Sequence, residues 1–260
     1  MPSYEEILRG AVNIAADAAA TLTRMRSGPR DVNRKELRDV VTDADLASER
    51  LVLDGIRKLT PGAAILSEEA GASGGGEERW IVDPLDGTVN YAGNLPWFSV
   101  TLAYQHRGRT VAGVVHAPLV GLVATYLEGA GAVVNGKPAA VSATSSVADA
   151  VISVVLTSHF TPPEVSRAAS AIRVLGEHAR GVRIIVSGGL EMCWVASAQL
   201  DAFVSLKADV VSHAAAMPLV RAAGGRITRL DGSDAADEDE VRIASNGLLH
   251  EELLFLLRDL

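Results

Sequence analysis

The sequence predicts an α/β protein of the layered α+β kind, built in two halves, residues 1–144 and 145–260. Three observations carry this. Apolar residues recur at helical spacing in two early segments. From Phe98 to Val141 the period drops to two. Beyond Thr144, short apolar runs alternate with amphipathic ones, as they do in an α/β unit.

The elements follow in order. Ile7, Ala11, Ile14, Ala18 and Leu22 share one face of a first helix, which the breaker Ser27-Gly28-Pro29 ends. A second helix starts after Thr42-Asp43, with Asp43 as its N-cap. Leu46, Leu53 and Ile56 form its apolar stripe, and Thr60-Pro61-Gly62 closes it. Ala63 to Leu66 is a short apolar segment. Gly71 to Gly76 is too glycine-rich for regular structure and is expected to be a mobile loop. Trp80-Ile81-Val82 is a buried strand. Phe98 to Tyr104, Thr110 to His116 and Leu122 to Leu127 continue as an antiparallel meander, with a hairpin at Asn135-Gly136. The second half reads as strand 151–156, helix 163–179, strand 182–186, helix 189–198, strand 201–206, helix 212–223, two short strands and a helix over 247–257.

Composition bounds the function. The 260 residues are 48% hydrophobic and 22% charged, with a formal net charge of −8. That balance argues against nucleic acid or an anionic membrane as the main partner, since both call for basic surface. Cys193 is the only cysteine, so no intrachain disulfide forms and a reducing compartment fits. Glu5 and Glu6 stand where a signal peptide would be basic, and no apolar run approaches the ~20 residues of a membrane span. A cytoplasmic protein is the expectation.

The chemistry concentrates before the meander, in Asp43, Asp45, Glu68, Glu69, Asp83 and Asp86. Asp43 and Glu69 read as solvated charges. Asp83 and Asp86 follow an apolar strand, whose C-terminal end usually opens on a crevice. Pro84 fixes the backbone between them and can turn the Leu85 carbonyl to the same point. Carboxylates this close stay ionised together only if a cation joins them. Oxygen donors without cysteine or histidine favour Mg²⁺ over zinc. Gly87-Thr88 offers backbone N–H groups to a phosphate, and the Thr88 hydroxyl can orient a water. On the residues alone, a metal site and a structural turn both stand.

"DPLDGTVNY" at 83–91 closely resembles the Asp-Pro-Ile/Leu-Asp-Gly-Thr-x-Asn-Phe/Tyr signature of the inositol monophosphatase family. "VVTDADLASERLV" at 40–52, "ILSEEAG" at 65–71, "GVVHAP" at 113–118 and "GAGAVVNGKPAAVS" at 129–142 are similar to further segments of that family. So are "MCWVASAQLDAFVS" at 192–205 and "AAGGRIT" at 222–228. The resemblance runs nearly the full length, in order. It implies an αβαβα sandwich, a homodimer, and Mg²⁺-dependent hydrolysis of a small phosphorylated metabolite by metal-activated water. It also implies two or more Mg²⁺ ions. Glu68, Asp83 and the Leu85 carbonyl would hold the first, and Asp83 and Asp86 the second. Glu68 and Thr88 would position the water, with Asp45 behind Thr88, and the Gly87 and Thr88 amides would hold the phosphate. Residues 1–144 would carry metal and phosphate, and residues 145–260 the substrate selectivity.

One departure stands out. The family carries a Trp-Asp-x-Ala segment whose aspartate binds the second metal. Here Val211 and Ser212 occupy those two positions. Serine is a neutral and weaker ligand for Mg²⁺, so the second site should be weakened. Asp209 and His213 are nearby candidates for compensation. Ser205 stands at a substrate-facing acidic position, and Glu191 at one where asparagine or glutamate is frequent. The alternative function is a weakened or repurposed member of the family that binds a phosphorylated ligand or does altered chemistry.

Overall fold

A computed structural model describes residues 2–26, 32–34, 40–207, 209–236 and 242–260. Helix α1 (Tyr4–Arg26) precedes a two-stranded ribbon, β1 (Val32–Arg34) and β2 (Val40–Thr42). The expected breaker at 27–29 lies outside the described residues. Then come α2 (Asp43–Leu59), β3 (Ala64–Ser67), β4 (Gly71–Ser73), β5 (Glu78–Asp86) and α3 (Thr88–Ala92). The meander is β6 (Ser99–His106), β7 (Arg109–Ala117), β8 (Leu122–Leu127), β9 (Gly131–Val134) and β10 (Lys137–Pro138). The second half holds β11 (Val151–Val154), α4 (Pro162–His178), β12 (Gly181–Arg183), α5 (Gly188–Ala196), β13 (Ala202–Ser205) and α6 (Val210–His213). It ends with α7 (Ala216–Ala222), β14 (Arg226–Thr228), β15 (Arg242–Ser245) and α8 (His250–Leu257).

Two further sheets organise these elements. One has eight strands in the order β10-β9-β8-β7-β6-β5-β3-β4, and the other five in the order β12-β11-β13-β15-β14. Ile7, Ile14 and Leu22 of α1 and Val52 and Ile56 of α2 bury against Trp80, Val82, Val100, Leu102 and Val114 on one face of the large sheet. Ile81, Ala103 and Val115 face the other way, onto Leu190 and Met192 of α5 and Met217 and Leu219 of α7. Phe203 and Ala244 of the small sheet join that same cluster. On the small sheet's far side, Ile152, Val204 and Ile243 pack on Ala168 and Leu175 of α4 and Leu253 and Leu257 of α8. The layers therefore run helix, sheet, helix, sheet, helix: an αβαβα sandwich whose middle layer shares its core with both sheets. No helix among the described residues is long and apolar enough to cross a membrane.

Three local expectations change. Gly71–Ser73 is not loop but an edge strand, pairing antiparallel with β3 at Ile65↔Ser73 and Ser67↔Gly71. Backbone pairing needs no side chain, and the composition hid it. Leu46 is 42% exposed, so it lies off the buried face of α2. That face is instead Ala44, Asp45, Ser48, Glu49, Val52, Leu53 and Ile56. The helix expected over 212–223 is two helices, broken at Ala214-Ala215. Pro218 has no N–H to give the Ala214 carbonyl and its ring crowds that oxygen. The carbonyl takes the Thr110 hydroxyl instead, at 3.3 Å.

Candidate active site

Asp83 and Asp86 are three apart, and on a regular strand that spacing sends two side chains to opposite faces. The β5–β6 pairing is irregular just there. Asp83 pairs with Thr101 and Asp86 with Ser99, so one extra residue is inserted in β5. That β-bulge, at Pro84-Leu85, brings both carboxylates to the same pocket. Asp86 is then clamped: Ser99 Oγ (2.8 Å), Ser187 Oγ (2.7 Å) and the Gly189 N–H (3.0 Å) all donate to its Oδ2. Gly189 permits this approach because a Cβ there would stand 2.6 Å from Thr101 Cγ2 and 3.1 Å from Asp86 Oδ2. Asp83 Oδ1 accepts the Leu85 N–H at 3.0 Å.

Past the bulge the chain turns through Gly87, at φ 92°, where a Cβ would meet the Trp97 carbonyl at 2.8 Å. That turn sets Thr88 over the bulge. Its Oγ1 lies 3.1 Å from Asp45 Oδ1 and 3.0 Å from the Leu85 carbonyl. Asp45 comes from the buried face of α2, where Ser48 Oγ donates to the Pro84 carbonyl at 2.7 Å. One turn on, Glu49 Oε1 accepts Ser67 Oγ (2.6 Å) and the Ala70 N–H (2.8 Å). Those two bonds fix the turn that carries Glu68 into the pocket.

The C-terminal wall comes from β13 and α6. Ser212 Oγ lies 2.8 Å from Asp83 Oδ2 and 2.8 Å from Asp209 Oδ2. Asp209 caps α6, its Oδ1 accepting the Ser212 N–H at 3.1 Å. His213 packs edge-on to Phe203 and accepts Arg242 Nη1 on Nδ1 at 3.1 Å. Burial lowers its pKa to about 4 against an opposing effect from Asp209, with a smaller further lowering from Arg242, so the ring is neutral. Ser205 is buried and donates to the Lys207 carbonyl, while Lys207 Nζ donates to the His159 carbonyl.

Electrostatics distinguish the cluster from a set of solvated loop charges. Burial, then Glu68, Asp86 and Asp209, push Asp83 well above the ordinary carboxylate range. Burial lifts Asp86 to about 6 even against the Ser187 hydrogen bond. Packed anions with oxygen donors are a hard set, suited to Mg²⁺. Among the described residues, no group of three His, Cys, Asp or Glu side chains is closed by itself around an ion. A cation here would draw on mixed donors (carboxylates, the Leu85 carbonyl and water or substrate oxygens), as Mg²⁺ does. On that chemistry the residues present fit the ion.

Glu68, Asp83, Leu85, Asp86, Gly87, Thr88, Ser205, Asp209, Ser212 and His213 line this one pocket, and Asp45 reaches it through Thr88. Glu191 does not line it. It is fully buried behind the Asp86 clamp, accepting the Ser187 N–H at 2.9 Å and the Ser153 hydroxyl. Burial raises its pKa to about 7. Glu49, Ser99, Ser187 and Gly189 are supports that the sequence reading missed. The only signal for Glu49 was its place four residues after Asp45 on one helical face.

A family model described as "Inositol monophosphatase family" matches residues 3–260. The fructose-1,6-bisphosphatase/inositol-1-monophosphatase of Thermotoga maritima is 34% identical, over 85% of this chain and 84% of that protein. The inositol-1-monophosphatase of Mesorhizobium japonicum is 32% identical, over 83% and 82%. Among solved structures, the extragenic suppressor protein suhB of Bartonella henselae superposes with a TM-score of 0.91 at 28% identity, covering 97% of this chain and 98% of that one.

Proposed function

The chain belongs to the inositol monophosphatase family, and on that premise we propose that it is a Mg²⁺-dependent phosphomonoesterase acting on a small phosphorylated metabolite. The observation that carries this is the alignment, by one bulge, of Asp83 and Asp86 beside Glu68 and the Asp45–Thr88 pair. When bound, Mg²⁺ would offset the carboxylate charge, polarise the phosphoryl oxygens and lower the pKa of a water.

The chain's own groups do the rest. Glu68, Asp83 and the Leu85 carbonyl are assigned to one ion, and Asp83 with Asp86 to a second. The Asp86 clamp fixes that carboxylate before anything binds, which is the preorganisation such a site needs. Thr88 gives its single proton to Asp45 or to the Leu85 carbonyl, so toward the pocket it acts as an acceptor. A water donating one hydrogen to Thr88 Oγ1 and the other to Glu68 would turn a lone pair toward the phosphorus of a phosphate whose oxygens the Gly87 and Thr88 N–H groups would bind. The same reading carries the expectation of a homodimer.

The test is phosphate release from inositol 1-phosphate, fructose 1,6-bisphosphate, other sugar phosphates and adenosine 3′,5′-bisphosphate, with Mg²⁺ or with EDTA. Release from at least one substrate should rise with Mg²⁺, and Asp83→Asn should abolish it. Release that ignores EDTA sinks the metal reading. No release from any substrate favours the alternative, a repurposed binder, for which Ser212 in place of a carboxylate is the supporting observation.

A further inference from the structure

Position 212 lacks the carboxylate that the family resemblance calls for, yet its hydroxyl touches two. Ser212 Oγ stands 2.8 Å from Asp83 Oδ2 and equally from Asp209 Oδ2. The two carboxylate oxygens are therefore no more than about twice that distance apart, and Asp209 lines the pocket with Glu68, Asp83 and Asp86. A hydroxyl has one hydrogen and satisfies one of two anions. The second contact needs a further proton on one of the carboxyls, or a cation nearby.

Capping alone does not explain an aspartate here. Asparagine caps as well as aspartate, and a four-residue helix gains little from a charged cap. A full negative charge beside Asp83 and Asp86 costs the fold unless something cationic offsets it. The other candidates are occupied. His213 Nδ1 is held by Arg242, and Glu191 faces Ser153 and Ser187.

We propose that Asp209 supplies the C-terminal carboxylate of the second cation site, relocated from the first turn of α6 to its N-cap, with Ser212 as the hydroxyl that aligns it with Asp83. This rests on the metal-dependent reading above and adds to it the ligand that the signature residues do not contain. Asp209 Oδ1 is fixed by the Ser212 N–H, which leaves Oδ2 as the oxygen on the Asp83 side.

Calorimetric titration of the whole protein with Mg²⁺ alone, and with Mn²⁺ followed by electron paramagnetic resonance, tests it without any turnover. Wild type should bind, and Asp83→Asn should lose most binding. Asp209→Asn keeps the cap, so it should keep the first binding event and weaken the second by at least about 10–100-fold, since losing a direct ligand costs no less than losing one of its outer-shell partners. Its metal-free melting temperature should not fall, because it removes a like charge. Asp209→Asn with Ser212→Asp should restore the second event. Asp209→Ser, also a good cap, serves as a second neutral variant should Asp209→Asn fold poorly. Asp83→Asn losing metal while Asp209→Asn binds both ions as wild type does would overturn this inference and leave the phosphatase reading standing. A failure of Ser212→Asp to restore the second event would also overturn it, reducing Asp209 to a local structural role. Absence of Mg²⁺ binding by wild type would overturn both.

Discussion

Thr88 Oγ1 has one hydrogen and two acceptors behind it, Asp45 and the Leu85 carbonyl. Its remaining lone pair is the part that matters for chemistry. Thr88→Ala should lower kcat by about 10²–10⁴-fold, the usual worth of a proton-positioning group, and leave KM little changed. Thr88→Ser should recover most of the rate. Steady-state kinetics on the substrate found by the phosphate-release panel checks both. A rise in KM at unchanged kcat would make Thr88 a phosphate ligand only. At this scale the sequence was informative where residue type and spacing are themselves the signal, as in Asp83, Asp86 and Thr88. It was silent where a common residue acts by place. Glu49 has the composition of a solvated helix charge, and only the fold shows it holding the Glu68 turn.

Among the elements, β5 was legible as a buried strand, and α1, α2 and the meander as periodic segments. The bulge was not legible, because it is a property of the β5–β6 pair and no pattern within β5 encodes it. The Asp86 clamp was hidden for a related reason: Ser187 and Gly189 lie about a hundred residues away in the chain. β4 was not legible because a glycine-rich stretch can pair by backbone alone, and the break between α6 and α7 because the apolar period runs on through Pro218. The N-terminus of α5 packs against β5, β6 and α6 with no spare room. Gly189→Ala places its methyl against Thr101 Cγ2, Asp86 Oδ2 and the Ser212 carbonyl. It should destabilise by about 1–3 kcal/mol, the cost of overpacking, and weaken Mg²⁺ binding as well. Urea denaturation and calorimetry measure the two effects. Unchanged metal affinity would show that the Asp86 clamp is not needed for the site.

Across the whole molecule, pH also acts through a group outside the pocket lining. His250 is buried between Thr228 of β14 and Ser245 of β15, with a 2.8 Å hydrogen bond on each ring nitrogen. Burial, then Arg226, lower its pKa to about 4 against a smaller opposing effect from Glu251. The unfolded chain takes up this proton near pH 6.5. Between those values the unfolded state binds more protons, so stability is full above pH 6.5 and falls as pH drops toward 4. His250→Gln should flatten that limb, seen as a smaller loss of urea midpoint between pH 7.5 and 5 than in wild type. An equal loss in both would place the acid sensitivity elsewhere. The layered architecture itself was foreseen from the family resemblance. Its shared middle core was not, because Ile81, Leu190 and Phe203 meet only in three dimensions. That seam also sets an order of events during synthesis. A growing chain that has emerged only as far as the meander carries Asp83 and Asp86, but neither Ser187 and Gly189 to grip the one nor Ser212 to meet the other. Nothing emerging from the ribosome before those residues can close the grip on Asp86 or the contact to Asp83, so the pocket takes its finished form only once the second half of the chain has been made.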